Sequence, residues 1–136
     1  MQTIAIIMYD GNGNNKRVDV AARIVGDFAL HRVVNIDGTK RAPRRWRVSH
    51  VPTGAAITSA LPYVSGKPRE GTAPMAAYLK WMREVQATSE YRRWAEAMAG
   101  APFGLIHPSK LGARCTDATR QFAAKARSID APFLSF

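Results

Sequence analysis

The sequence predicts an α+β fold, a curved antiparallel sheet from the N-terminal half packed against about three helices from the C-terminal half. Three observations predict it. Up to residue 61, short apolar runs alternate with polar residues and are separated by Gly- and Asp-containing turns. The stretch 62–74, PYVSGKPREGTAP, concentrates proline and glycine and reads as a connector. Beyond it, apolar residues recur at helical spacing.

The 136 residues fit one domain, 1–136, divided into a β-meander (1–61), the connector (62–74), helices (75–130) and an apolar tail (131–136). Hydrophobic content of 46% suits a packed core. The one cysteine, Cys115, excludes an internal disulfide and a paired-cysteine zinc site. The first apolar run, Ile4–Met8, has no basic residue before it and is too short for a leader or a membrane span. A cytoplasmic protein with no membrane association is expected, and no cofactor or metal.

Each element has its own signal. Thr3–Tyr9 is short and isoleucine-rich, as a strand is. Asp10–Asn15 is a turn; its Gly11-Asn12-Gly13 lacks the continuation of a dinucleotide or P-loop motif. In Val18–Val25, Val18, Val20, Ala22 and Ile24 share one face and Asp19, Ala21 and Arg23 the other, with a short helix as the rival. Gly26-Asp27 is a tight turn or bulge, Phe28–Ile36 a strand, and Asp37-Gly38 a hairpin signal. Arg45–Val51 returns with Trp46, Val48 and His50 inward and Arg45, Arg47 and Ser49 outward; Pro52 stops it, and Ala55–Leu61 could add another strand.

In the helical half, Thr72 is a candidate N-cap and Pro74 fits a first turn. Met75, Tyr78, Leu79, Met82 and Val85 form one stripe, with Trp81 at its edge and expected to be partly exposed. Thr88 or Ser89 caps a second helix with Tyr91, Trp94, Ala95 and Met98 inward and Gly100 closing it. A third helix, Asp117–Ser128, is expected after Cys115 and a Thr116 cap, with Ala118, Phe122, Ala126 and Ile129 inward.

Charge points toward function. Twenty Lys+Arg against ten Asp+Glu give a net charge of +10, a field that attracts polyanions. Fourteen of the twenty are arginine, the better fork for phosphate. No acidic residue lies between Asp37 and Glu70, a stretch holding Lys40, Arg41, Arg44, Arg45, Arg47, Lys67 and Arg69. These seven are the candidate nucleic-acid contacts, the first five as a patch at one sheet edge. Arg83, Arg92 and Arg93 form a secondary basic surface. The competing reading of the patch is an edge strand charged against aggregation.

All three tryptophans neighbour cations, as stacking platforms do. Strand alternation nevertheless assigns Trp46 to the core, and the stripe of the second helix assigns Trp94 to it. His31 and His50, on adjacent strands, could meet across the ladder as an acid/base pair in a histidine-dependent hydrolase. No carboxylate pair or ligand set accompanies them, so a non-enzymatic protein is expected. The ending Asp130-Ala131-Pro132-Phe133 is similar to the phenylalanine-ended tips of bacterial single-strand-binding proteins, without their acidic run. Phe133, Leu134 and Phe136 are candidates for docking on a partner or in a homodimer. The expected function is nucleic-acid binding, DNA or RNA, through phosphate neutralisation. The alternative is a small interaction or inhibitor protein that binds an acidic surface on a larger, nucleic-acid-processing assembly.

Overall fold

The computed structural model describes residues 2–9, 15–32, 45–54, 64–65, 73–99 and 113–129. Among these residues, five strands, β1 (Gln2–Tyr9), β2 (Asn15–Val25), β3 (Phe28–Arg32), β4 (Arg45–His50) and β5 (Val64–Ser65), form one antiparallel sheet in chain order. Three helices follow among the described residues, α1 (Ala73–Gln86), α2 (Ser89–Met98) and α3 (Ala113–Ser128). The fold is α+β, with the sheet in the N-terminal half and the helices in the C-terminal half. Among the described residues no helix is long and apolar enough to cross a membrane.

β1 and β2 pair in register from Gln2 opposite Ala22 to Tyr9 opposite Asn15. β2 begins at Asn15, three residues before the expected start, and is a strand throughout rather than the rival helix. Its alternation is as read: Val18, Val20 and Ala22 are buried, while Asp19 and Ala21 are exposed. The β2–β3 hairpin turns on Gly26-Asp27, between paired Val25 and Phe28. Gly26 has φ +58° and, among the described residues, no non-glycine residue has positive φ, which is the type II′ pattern that matches strand twist. β5 falls inside the stretch read as a connector, and Ala55–Leu61 lies outside the described residues.

The pleat sends β3 and β4 into two cores. Phe28 and Leu30, with Val48 of β4, join Tyr78, Trp81, Met82, Val85, Tyr91, Trp94, Met98 and Phe122 of the helices. Ala29 points the other way and joins Ile4, Ile6, Val18, Val20 and Ala22. Curvature serves this second core. β1 and β4 would lie about 14 Å apart in a flat sheet, three strand spacings. Yet the Ile7 N–H donates to the carbonyl of Gly54, only four residues past β4, at 3.1 Å.

Two expectations in the helical half change. Trp81 is 1% exposed rather than at a solvent-facing edge, because α3 covers that side of α1 and the Trp81 Nε1–H donates to the Ala126 carbonyl at 3.3 Å. Tyr78, Trp81, Met82 and Val85 therefore form one wide stripe, spaced 3, 4 and 7 from Tyr78. α3 starts at Ala113, so Cys115 and Thr116 lie within its first turn instead of before and at its cap. Cys115 is buried there, its thiol donating to the Ala97 carbonyl at 3.0 Å. Thr88 does cap α2, its Oγ1 accepting from the Tyr91 N–H at 3.1 Å. Gly100 lies outside the described residues.

Candidate nucleic-acid interface

β3 ends at Arg32 and β4 begins at Arg45, on either side of residues 33–44. The register there is Leu30 opposite Val48, His31 opposite Arg47 and Arg32 opposite Trp46. Directly opposed residues share a face, so His31, Arg47 and Ser49 lie together on the face away from the helices. Val48 and His50 lie toward the helices, as alternation predicts. Arg45 opens β4 opposite Ser65 of β5.

Two features of this region differ from expectation. The start of β4 is not a free edge, since β5 pairs with Arg45 and Trp46. The face away from the helices is not uniformly solvated: Ser49 is 1% exposed and Arg47 is half-buried. The second core on that face is the physical reason. Lys40, Arg41, Arg44, Lys67 and Arg69 lie outside the described residues, as do Phe133, Leu134 and Phe136. Arg45 and Trp46 are placed by backbone pairing alone.

Arg83, Arg92 and Arg93 are exposed on α1 and α2. They do not stand in a field of one sign. Arg93 lines a groove between α2 and α3 together with Gln121; Glu90, Lys125 and Ser128 lie toward one end, Glu96 and Asp117 toward the other. The Glu90 carboxyl is held below its usual range by the Ser89 hydroxyl, with Lys125 and Arg93 adding attraction. Arg120 pairs with Asp117 at 3.4 Å and Lys80 with Glu84 at 3.8 Å, both on the surface, where such pairs stabilise little. This surface is amphoteric, in contrast to the acid-free segment 38–69.

The two histidines do not meet. His31 is opposite Arg47 and His50 opposite Phe28, on opposite faces of the sheet, because three residues separate their ladder positions. Each is instead built into its own network. The His31 Nδ1–H donates to the Arg32 carbonyl at 2.9 Å, and its Nε2 accepts from the Ser49 hydroxyl at 2.7 Å. The ring is fully buried and its pKa falls to about 4. Burial is the main cause, the Arg32 carbonyl opposes it, and the Arg47 charge adds to it. A serine beside a neutral histidine resembles a nucleophile–base pair in composition, but both members are enclosed. Sequence reasoning missed this pairing, although the signal was present: Ser49 and His31 fall on one face once the hairpin is registered.

His50 lies in an aromatic box, with Trp94 at 4.8 Å, Phe28 at 6.3 Å and Tyr91 at 6.3 Å between ring centroids. Burial lowers its pKa to about 4, against the pull of Asp27. Tyr91 gives its one hydroxyl proton to Asp27 at 2.8 Å, so the His50 Nε2–H points to the Tyr91 oxygen at 3.4 Å. Nδ1 then accepts from Thr53 at 2.9 Å. Trp94 stacks on Phe122 at 4.9 Å and its Nε1–H donates to Thr119 at 3.1 Å. Trp81 and Trp94 are thus scaffold and offer no ring face to a base.

Among the described residues, no three His, Cys, Asp or Glu side chains group in a way that could hold a metal ion. No protein-family model, no curated protein and no solved structure matches this chain.

Proposed function

We propose that this is a small basic protein that binds nucleic acid without catalysis, its affinity dominated by neutralisation of phosphates. The observation that carries the reading is the acid-free interval between Asp37 and Glu70, in which Lys40, Arg41, Arg44, Arg45, Arg47, Lys67 and Arg69 have no carboxylate among them. The topology supports it. Residues 33–44, which include Lys40, Arg41 and Arg44, join β3 to β4 in the chain, and Arg47 lies on β4 opposite His31. Five cations within the eight residues 40–47 would release several counterions on meeting a phosphate chain. Arg83, Arg92 and Arg93 contribute less in this reading, because Glu90, Glu96 and Asp117 lie in the groove that Arg93 lines.

Binding of labelled single-stranded and duplex DNA and RNA across a salt series tests the proposal. A steep fall of log affinity with log salt is expected. Absence of binding at about 50 mM salt would sink it. Binding of an acidic protein in place of nucleic acid is the outcome that would favour the inhibitor alternative.

A further inference from the structure

We infer that the buried His31–Ser49 pair is a positioning device that sets Arg47 for a phosphate contact; the inference rests on the nucleic-acid reading above. One imidazole joins both sides of the hairpin root. Its Nδ1–H is held by the carbonyl of Arg32, the last residue of β3, and its Nε2 by the Ser49 hydroxyl on β4. His31 and Ser49 are 0% and 1% exposed. Arg47 stands directly across the ladder from that ring, with Cβ atoms expected about 5 Å apart, and two residues before Ser49 on the same face.

The surroundings argue that position, not stability, is what the pair provides. Ala22, opposite His31 on its other side, and Ala29 belong to an apolar core. Two aliphatic side chains would fill such a site at least as stably as a buried polar pair. What they would not provide is a directional link between the exit of β3 and β4. A guanidinium gripping phosphate oxygens needs its stem held to within about 0.5 Å, and buried directional bonds supply that restraint. Without the Ser49 hydroxyl, Nε2 is a buried acceptor lacking its partner, and the ring has reason to turn. Arg47 would then lose its fixed neighbour.

A double-mutant cycle on the full chain tests this. Fluorescence anisotropy with a labelled single-stranded oligonucleotide is measured across a salt series for wild type, Arg47→Ala, Ser49→Ala and the double variant. Thermal melts first set a temperature at which each is folded. Arg47→Ala should reduce the steepness of the salt dependence by about 1, the loss of one phosphate contact. Ser49→Ala should reduce it by about the same amount, and the double variant no further than Arg47→Ala alone. Ser49→Cys, which keeps the volume but only a weak donor, should follow Ser49→Ala and serves if that variant does not fold. Wild-type binding by the Ser49 variants, additive losses in the double variant, or no change of slope in Arg47→Ala would each overturn the inference while leaving nucleic-acid binding standing. No binding by wild type would overturn both.

Discussion

Tyr91 of α2 donates its hydroxyl proton to Asp27 in the β2–β3 turn, 64 residues earlier in the chain, at 2.8 Å. The bond joins the two halves of the fold, and it continues through His50 to Thr53 just past β4. Gln86 of α1 reinforces the same turn. Its Oε1 accepts from the Asp27 N–H at 2.8 Å and its Nε2 donates to the Val25 carbonyl at 2.7 Å. Helices and sheet are therefore aligned by polar bonds at one corner as well as by apolar contact.

Tyr91→Phe should lower stability by about 1–3 kcal/mol, measured by urea unfolding. The ring and its contacts with Phe28 and Phe122 remain. What is lost is the Asp27 bond and the acceptor for His50, which is 3% exposed and has little water to replace it. No change in the unfolding midpoint would mean that this polar corner contributes nothing.

Acid should destabilise the fold through both histidines. Their folded pKa values, about 4, lie below the unfolded value near 6.5. Their contribution is complete above pH 6.5, declines as pH falls from there, and is lost on passing through pH 4. Each accounts for a swing on the order of 3 kcal/mol across that window. Stability measured between pH 7 and 4 should fall accordingly, and a His31→Gln/His50→Gln protein, if it folds, should show a flatter profile. Equal slopes in the two proteins would contradict the assignment.

Gly26→Ala should cost about 1–2 kcal/mol. The backbone sits at φ +58°, and an added Cβ would lie 2.5 Å from Oε1 of Gln86. Removing Gln86 as well relieves the crowding but not the left-handed backbone, so the double variant should recover none of the conformational part. Wild-type stability for Gly26→Ala would contradict the turn geometry.

Trp81→Ala should cost roughly 3–5 kcal/mol, as for a large aromatic removed from a packed core. Trp81→Phe keeps most of the volume, and if folded it should bind oligonucleotide as wild type does. A selective loss of binding in folded Trp81→Phe would return this residue to the interface.

Strands β1 to β4 and the helices were legible because their signals are local, whereas β5 lies in the stretch read as a connector. Alternation in β2, the Gly26-Asp27 turn, and the Thr88 cap each rest on a few adjacent residues. Trp81 and Cys115 were misplaced because their burial is decided by α3 and by the end of α2, contacts between distant segments. The candidate site was legible as composition, in the acid-free run of cations. Its architecture was not. That β4 is flanked by β5, that Ser49 is enclosed, and that His31 bonds Ser49 rather than meeting His50 all follow from register and curvature, and the curvature shows in the backbone bond from Ile7 to Gly54.

The salt dependence of oligonucleotide binding by Arg44→Glu/Arg45→Glu/Arg47→Glu, measured beside wild type and Arg83→Glu/Arg92→Glu/Arg93→Glu, tests the central claim most directly. Both triple variants change net charge by the same amount, so a difference between them reports location rather than total field. Wild type should bind with a steep negative slope, the 44/45/47 variant should lose most of its affinity and slope, and the 83/92/93 variant should retain most of both. Wild-type affinity and slope in the 44/45/47 variant would contradict the account.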